Sequence, residues 1–283
     1  FFKQRPWLCW LYIAYSTWLL AMPLAAQDIS VELDPADGTL SQSIGASVAI
    51  GNQIAVIGAP GSAANKGAAY VFELQNGTWV QTSKIVSTDG TTNHRFGTSV
   101  ATWGNLIVVG ATGVASNQGA VYVFTKSGST WVQIRKLMAT DGQPNSLFGA
   151  SVAIEGSYIA VGAPEDNQVA EDAGAAYLFR NQGTNLANWT QSQKVVANDG
   201  ILEDEFGCSV SLNGSRLAVG SRYSDVAGPI PTYFANAGAA YIFTVANNAW
   251  TQTYKRTAND PNINDHFGNS VSLTNNFLLV GAY

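Results

Sequence analysis

At 283 residues, with 46% hydrophobic and 12% charged content, the chain is too apolar for a disordered segment and long enough to bury one large core. A net charge of −5 repels nucleic acid and anionic lipid, so neither is an expected partner. Its two cysteines, Cys9 and Cys208, provide no disulfide framework.

Lys3 and Arg5 open the chain, followed by an apolar stretch from Trp7 to Met22 and then Pro23-Leu24-Ala25-Ala26. This is the layout of a secretory signal over residues 1–26, with cleavage expected after Ala26, which would leave residues 27–283 as one domain without membrane insertion. An uncleaved anchor is the alternative, because the apolar run approaches spanning length.

From there the chain repeats itself. An aromatic residue or Ile precedes Gly45, Gly97, Gly149, Gly207 and Gly268, Ser-Val follows, and an apolar run ends at Gly58, Gly110, Gly162, Gly220 and Gly281. A second landmark, Gly-Ala-Ala/Val-Tyr, starts at Gly67, Gly119, Gly174 and Gly238, and a third is Trp79, Trp131, Trp189 and Trp250. Each Trp is followed by a Lys (Lys84, Lys136, Lys194, Lys255) and then by an Asp (Asp89, Asp141, Asp199, Asp260). Units of this length that cannot each bury their own apolar face imply an array such as a propeller.

Within a unit the periodicity is that of strands. Val48 and Ile50 alternate, Ile54 to Ile57 are continuously apolar, and Gly51-Asn52 and Asn213-Gly214 read as hairpin turns. Tyr70/Phe72, Tyr122/Phe124, Tyr177/Phe179 and Tyr241/Phe243 lie two apart and share one buried face of a third strand. A fourth strand starts at each Trp, where the lysine reads as protection of an exposed edge. The expected fold is therefore all-β: a β-propeller of four-stranded antiparallel blades starting near residues 44, 96, 148, 206 and 267, four complete plus part of a fifth. Residues 28–36 are expected to supply the closing strand of the last blade. Strand alternation puts the loop between second and third strands on the same face as the link to the next blade, and almost all length variation falls in the former.

Phe96-Gly97, Phe148-Gly149, Phe206-Gly207 and Phe267-Gly268, with Gly58-Ala59-Pro60 and Gly162-Ala163-Pro164, resemble the FG-GAP repeat of the integrin α-subunit N-terminal propeller and of secreted bacterial proteins. Degenerate copies are Ile44-Gly45, Gly110-Ala111-Thr112, Gly220-Ser221-Arg222 and Gly281-Ala282-Tyr283. The resemblance implies seven blades in a longer parent protein and a binding or adhesion role. Integrin-like members bind calcium in an Asp-rich loop between the first two strands; the corresponding loops here hold Glu155 as their only carboxylate, so no calcium or other cofactor is expected from that loop.

Four acidic residues of one insert, Glu165, Asp166, Glu171 and Asp172, are candidates for a cation or basic partner, against simple solvation. Glu203, Asp204 and Glu205 enter the next blade on the same face, and the longest insert adds Arg222, Tyr223, Tyr233 and Phe234, residue types favoured at interfaces or able to pack the loop on its own blade. No catalytic residue is assigned: His94 and His266 sit in different blade links without a paired nucleophile, and Cys208 stands where other units have Ala46, Thr98, Ala150 and Asn269, so it reads as a small buried side chain. Asn76, Asn188 and Asn213 begin glycosylation sequons. The expected function is a secreted or cell-surface module that binds an extracellular protein or glycan through this face. Alternatives are a structural module or the noncatalytic domain of a larger secreted hydrolase.

Overall fold

The computed structural model describes residues 32–228 and 233–283. The expected signal segment and residues 28–31 lie outside the described residues.

Blade 1 consists of β1 (Ser47–Gly51), β2 (Ile54–Ala59), β3 (Ala68–Gln75) and β4 (Thr78–Ile85). Blade 2 consists of β5 (Phe96–Trp103), β6 (Leu106–Ala111), β7 (Ala120–Ser127) and β8 (Thr130–Leu137). Blade 3 follows with β9 (Ser151–Glu155), β10 (Tyr158–Ala163), β11 (Ala175–Asn181) and β12 (Trp189–Val195). In blade 4, β13 (Phe206–Asn213) and β14 (Arg216–Ser221) are separated from β17 (Ala239–Ala246) and β18 (Ala249–Arg256) by a small hairpin, β15 (Val226–Ala227) with β16 (Tyr233–Phe234). A final hairpin, β19 (Ser270–Leu273) and β20 (Leu278–Gly281), begins blade 5. Blades 1 to 4 are four-stranded meanders with all neighbours antiparallel. The first strands β1, β5, β9, β13 and β19 pack one against the next, whereas the fourth strands of adjacent blades scarcely meet. Sheets that touch along one side and splay along the other are arranged radially, as in a propeller.

The short turns Ser62–Asn65 and Val114–Asn117 are not right-handed helices, since Ala63, Ala64, Ala115 and Ser116 all have φ between 49° and 58°. Residues 32–36 carry no strand; Ala36 donates its N–H to Gln81 Oε1 of blade 1 at 2.9 Å.

The repeat motif is the chemistry of the seam between blades. Ser47, Ser99, Ser151 and Ser209 each donate a hydroxyl to the backbone carbonyl of the next blade's anchor glycine, at 2.7–2.9 Å. At Gly110, a Cβ would overlap both the Gly149 carbonyl and Ser99 Oγ, so only glycine lets the seam close. Gly149 meets this approach with φ of +94°, a conformation that costs a residue with a Cβ on the order of 1–2 kcal/mol. The aromatic residue before it is pinned within its own blade. Phe148 packs edge-on against Tyr177 and Phe179 with centroids 5.3 and 5.9 Å apart, and Phe96 and Phe206 repeat the arrangement. All three are fully buried, worth about 1.5–3 kcal/mol each in transfer from water.

Two expectations about the turns shift. Strand pairing puts the first hairpin turn at Asn52-Gln53 and that of blade 4 at Gly214-Ser215, one residue later than the sequence suggests. Gly214 takes φ of +58°, as do Gly104 at +58° and Gly156 at +57° in blades 2 and 3. A glycine with positive φ at the first turn position defines the favoured two-residue hairpin, so Asn213 closes the strand opposite Arg216.

Candidate functional site

The loop face is built on a clamp that recurs in every complete blade. Lys84, Lys136, Lys194 and Lys255, on the fourth strands, reach Asp37, Asp89, Asp141 and Asp199 in the links that enter the same blades. Each ammonium lies 5.0–5.4 Å from the ring centroid of the third-strand tyrosine, Tyr70, Tyr122, Tyr177 or Tyr241. The lysines are thus not simple edge protectors: each ties its outer strand to the chain segment that crosses over it. Burial works to raise the Asp89 carboxyl, but hydrogen bonds from Lys136 and Tyr122 outweigh it and hold the group below the ordinary aspartate range. Burial, with Asp89 beside it, pushes the Tyr122 phenol well up, so it remains a donor.

Above the clamps, each loop between second and third strands is laced to the following blade link. Arg95 N–H donates to Asn65 O, and Leu147, Glu205 and His266 make the same bond to Asn117, Asp172 and Asn236. At three of these junctions the side chains pair as well: Asn65 with Asn93, Asn117 with Asn145, Asn236 with Asn264, at 3.1–3.2 Å. At the fourth, the equivalent positions are Asp172 and Glu203, and no amide pair forms.

This fourth junction, between blades 3 and 4, gathers most of the candidate residues. Asp166 is not a solvated cation ligand: it is 2% exposed, lies 2.9 Å from Lys194 Nζ, and accepts the Tyr177 hydroxyl at 2.8 Å. It occupies the position of Ser62, Val114 and Ser224, all buried, where each backbone carbonyl accepts the N–H of the glycine just before the third strand. Asp204 is likewise removed from the surface, 1% exposed, with one carboxyl oxygen accepting Ile201 N–H at 2.9 Å. Its burial pushes the carboxyl up to about 6.

Glu205 pairs with Arg222 at 2.6 Å, and the guanidinium lies 4.9 Å from the Tyr223 centroid. His266 stands between Tyr223 and Tyr283, with ring centroids 5.0 Å away on both sides. It is therefore part of an edge-on aromatic cluster across blades 4 and 5. Burial and the charges of Asp172 and Glu205 raise Glu165, and burial raises Glu205 against the pull of Arg222. Glu171 is exposed, and its carbonyl accepts Glu203 N–H. Tyr233 is 71% exposed while Phe234, paired with Val226, is half-buried. Glu165, Glu171, Asp172, Glu203, Asp204, Glu205, Arg222 and Tyr223 thus belong to one stretch of the face, whereas Tyr233 and Phe234 lie farther along it beside the link at Asn264. Among the described residues, no group of three or more His, Cys, Asp or Glu side chains is arranged to hold a metal ion. Burial pushes the Cys208 thiol up to about 11, where it donates weakly to Gly268 O.

Sequence reasoning passed over Ile201, Leu202 and Ile263, which are 52%, 54% and 62% exposed on blade links of this face. The matching positions of earlier links hold Thr91-Thr92 and Gln143-Pro144. That contrast was readable from the repeat alignment and was the available signal.

A family profile described as FG-GAP repeat matches residues 30–72, 79–124, 131–179, 189–243 and 250–283. The chain is 30% identical over 227 residues to integrin alpha-7 of Rattus norvegicus, covering 69% of this chain and 19% of that protein. Integrin alpha-7 of Mus musculus is 30% identical over the same length, and that of Homo sapiens 31% identical over 189 residues, covering 60% of this chain and 15% of the human protein. The chain spans less than a fifth of the length of these curated relatives. Among the described residues, no helix is long and apolar enough to cross a membrane.

Proposed function

The chain belongs to the FG-GAP repeat family, and from that membership we propose that it is a secreted or cell-surface β-propeller that binds an extracellular protein or glycan through its loop face, acting as a binder rather than an enzyme. The carrying observation is the contrast between frame and loops. Seams, clamps and aromatic anchors repeat from blade to blade with hydrogen bonds of nearly constant length, while the segments after β10 and β14 grow without disturbing them. Loops free to vary over a fixed frame are where recognition concentrates.

The test replaces residues 225–235, including the β15–β16 hairpin, with the short loop of blade 1. Binding of the full chain and of this variant is measured on a panel of purified extracellular matrix proteins and on a glycan array. Loss of the bound partner with unchanged thermal unfolding supports the reading; equal binding by both chains removes it.

A further inference from the structure

Blade links of one frame, compared position by position, reveal what the fold does not require. The link into blade 2 exposes Thr91 and Thr92, that into blade 3 Gln143 and Pro144, but that into blade 4 exposes Ile201 and Leu202, and that into blade 5 exposes Ile263. The backbone bonds that tie these links to the preceding loop are the same, so that tie does not call for apolar side chains there. More than half of each side chain is left in solvent, an exposure of apolar surface that costs solubility. Val169, 47% exposed, joins them from the loop after β10, which is bonded to the blade 4 link through Glu171 O and Glu203 N. Tyr233 joins from the blade 4 insert, bonded to the next link through Ala235 O and Asn264 N.

Charge is distributed as unevenly. In the loops of blades 3 and 4 and the links that follow them, carboxylates such as Glu171, Asp172, Glu203, Asp225 and Asp265 face one guanidinium, Arg222, which Glu205 already engages at 2.6 Å. The corresponding loops of blades 1 and 2 carry exposed Lys66 and Arg95, and their Asp89 and Asp141 are taken by Lys136 and Lys194. The face is therefore uneven in charge, with Lys66 and Arg95 at the junction of blades 1 and 2, no Lys or Arg at that of blades 2 and 3, and carboxylates beside apolar side chains from the blade 3 loop onward.

Resting on the loop-face reading above, we propose that the occupant of the blade 3 to blade 5 sector is a polypeptide presenting Lys or Arg beside aliphatic or aromatic side chains. Apolar residues ringed by one sign of charge favour a partner that covers the former while neutralising the latter. A neutral glycan fits less well, since the exposed side chains here are mainly branched aliphatics and not the flat rings on which sugars stack.

The experiment selects a random 12-mer peptide phage library on the full chain, then measures the recovered peptides as synthetic ligands. Recovered peptides are expected to be net positive with apolar residues next to the basic ones. Ile201→Ser with Leu202→Ser should weaken them about tenfold or more, the loss of one modest hot spot, and raised salt should weaken them further. Both side chains are exposed, and matched thermal unfolding checks that the variant is folded. Neutral or acidic peptides, undiminished binding by the double variant, or binding confined to neutral sugars on a glycan array would overturn the proposal. If the peptides instead lose affinity on Arg95→Glu, the sector assignment fails but the loop face stands. If neither change matters and substitution at the Asn52 and Asn105 turns of the opposite face does, both readings fail.

Discussion

At the scale of single residues, Asp204 is the carboxyl whose state the fold most disturbs. Nearly all of it is inside, and its burial opposes ionisation more than the Ile201 N–H bond and Lys255 favour it. Because the folded group holds its proton up to about 6, whereas the unfolded one releases it near 3.8, its contribution to stability is complete below that lower value and is lost as pH rises through about 6. Asp204→Asn keeps an oxygen for Ile201 and removes the buried charge. It should stabilise the chain by up to about 3 kcal/mol at pH 8 and by well under about 1 kcal/mol near pH 4, as read from urea unfolding at the two values. A stabilisation independent of pH would show that packing, not charge, distinguishes the two side chains. Asp89 and its counterparts behave oppositely, since their lysine partners hold them ionised and their contribution fades only as acid protonates them. With their aspartates about half exposed, the Lys136–Asp89 and Lys255–Asp199 pairs are worth at most about 0.5–1 kcal/mol each.

The junction between loop and link is the element where repetition is informative because one copy breaks it. Three junctions hold an asparagine pair and the fourth holds Asp172 opposite Glu203 on the same backbone bonds. Asp172→Asn with Glu203→Asn should complete the set and raise stability by about 0.5–1.5 kcal/mol, the net worth of a hydrogen bond, seen as a higher midpoint in thermal unfolding. Neither single change supplies both partners, so each alone should yield less than half of the effect. Strand order, blade number within the chain and the buried third-strand aromatics were legible from the sequence because they follow from local periodicity. The clamp was not, although both its Lys and its Asp were visible at fixed intervals. Asp37 and Lys84 meet across an entire blade, and only the folded meander brings the entering link over the outer strand. Asp166 was misplaced for a related reason: its acidic neighbours suggested solvent, whereas its position matches a buried site in every other blade. Ile201 and Leu202 are legible only when the links are compared position by position, where Thr91-Thr92 and Gln143-Pro144 stand in the earlier copies.

For the molecule as a whole, stability is set by neighbours. Blades 2 and 3 are packed on both sides, and their second and third strands hold the most fully buried side chains, whereas the fourth strands of adjacent blades scarcely meet. Units that lean on one another in series unfold from wherever support is thinnest. Native-state hydrogen exchange should therefore find the slowest amides in β6, β7, β10 and β11 and faster ones in the outer strands β4, β8, β12 and β18. Uniform exchange across all strands would indicate one all-or-none transition.

The seam has a further consequence for ancestry. Since the serine of one blade grips the anchor glycine of its successor by the same bond at every boundary, a tandemly copied unit would arrive with both mating surfaces already matched. Duplication or loss of a whole unit would thus leave a joinable chain, while insertions as short as a methyl group at the glycine would not be tolerated. Selection could in this way tinker with loops one copy at a time and inherit the frame unchanged.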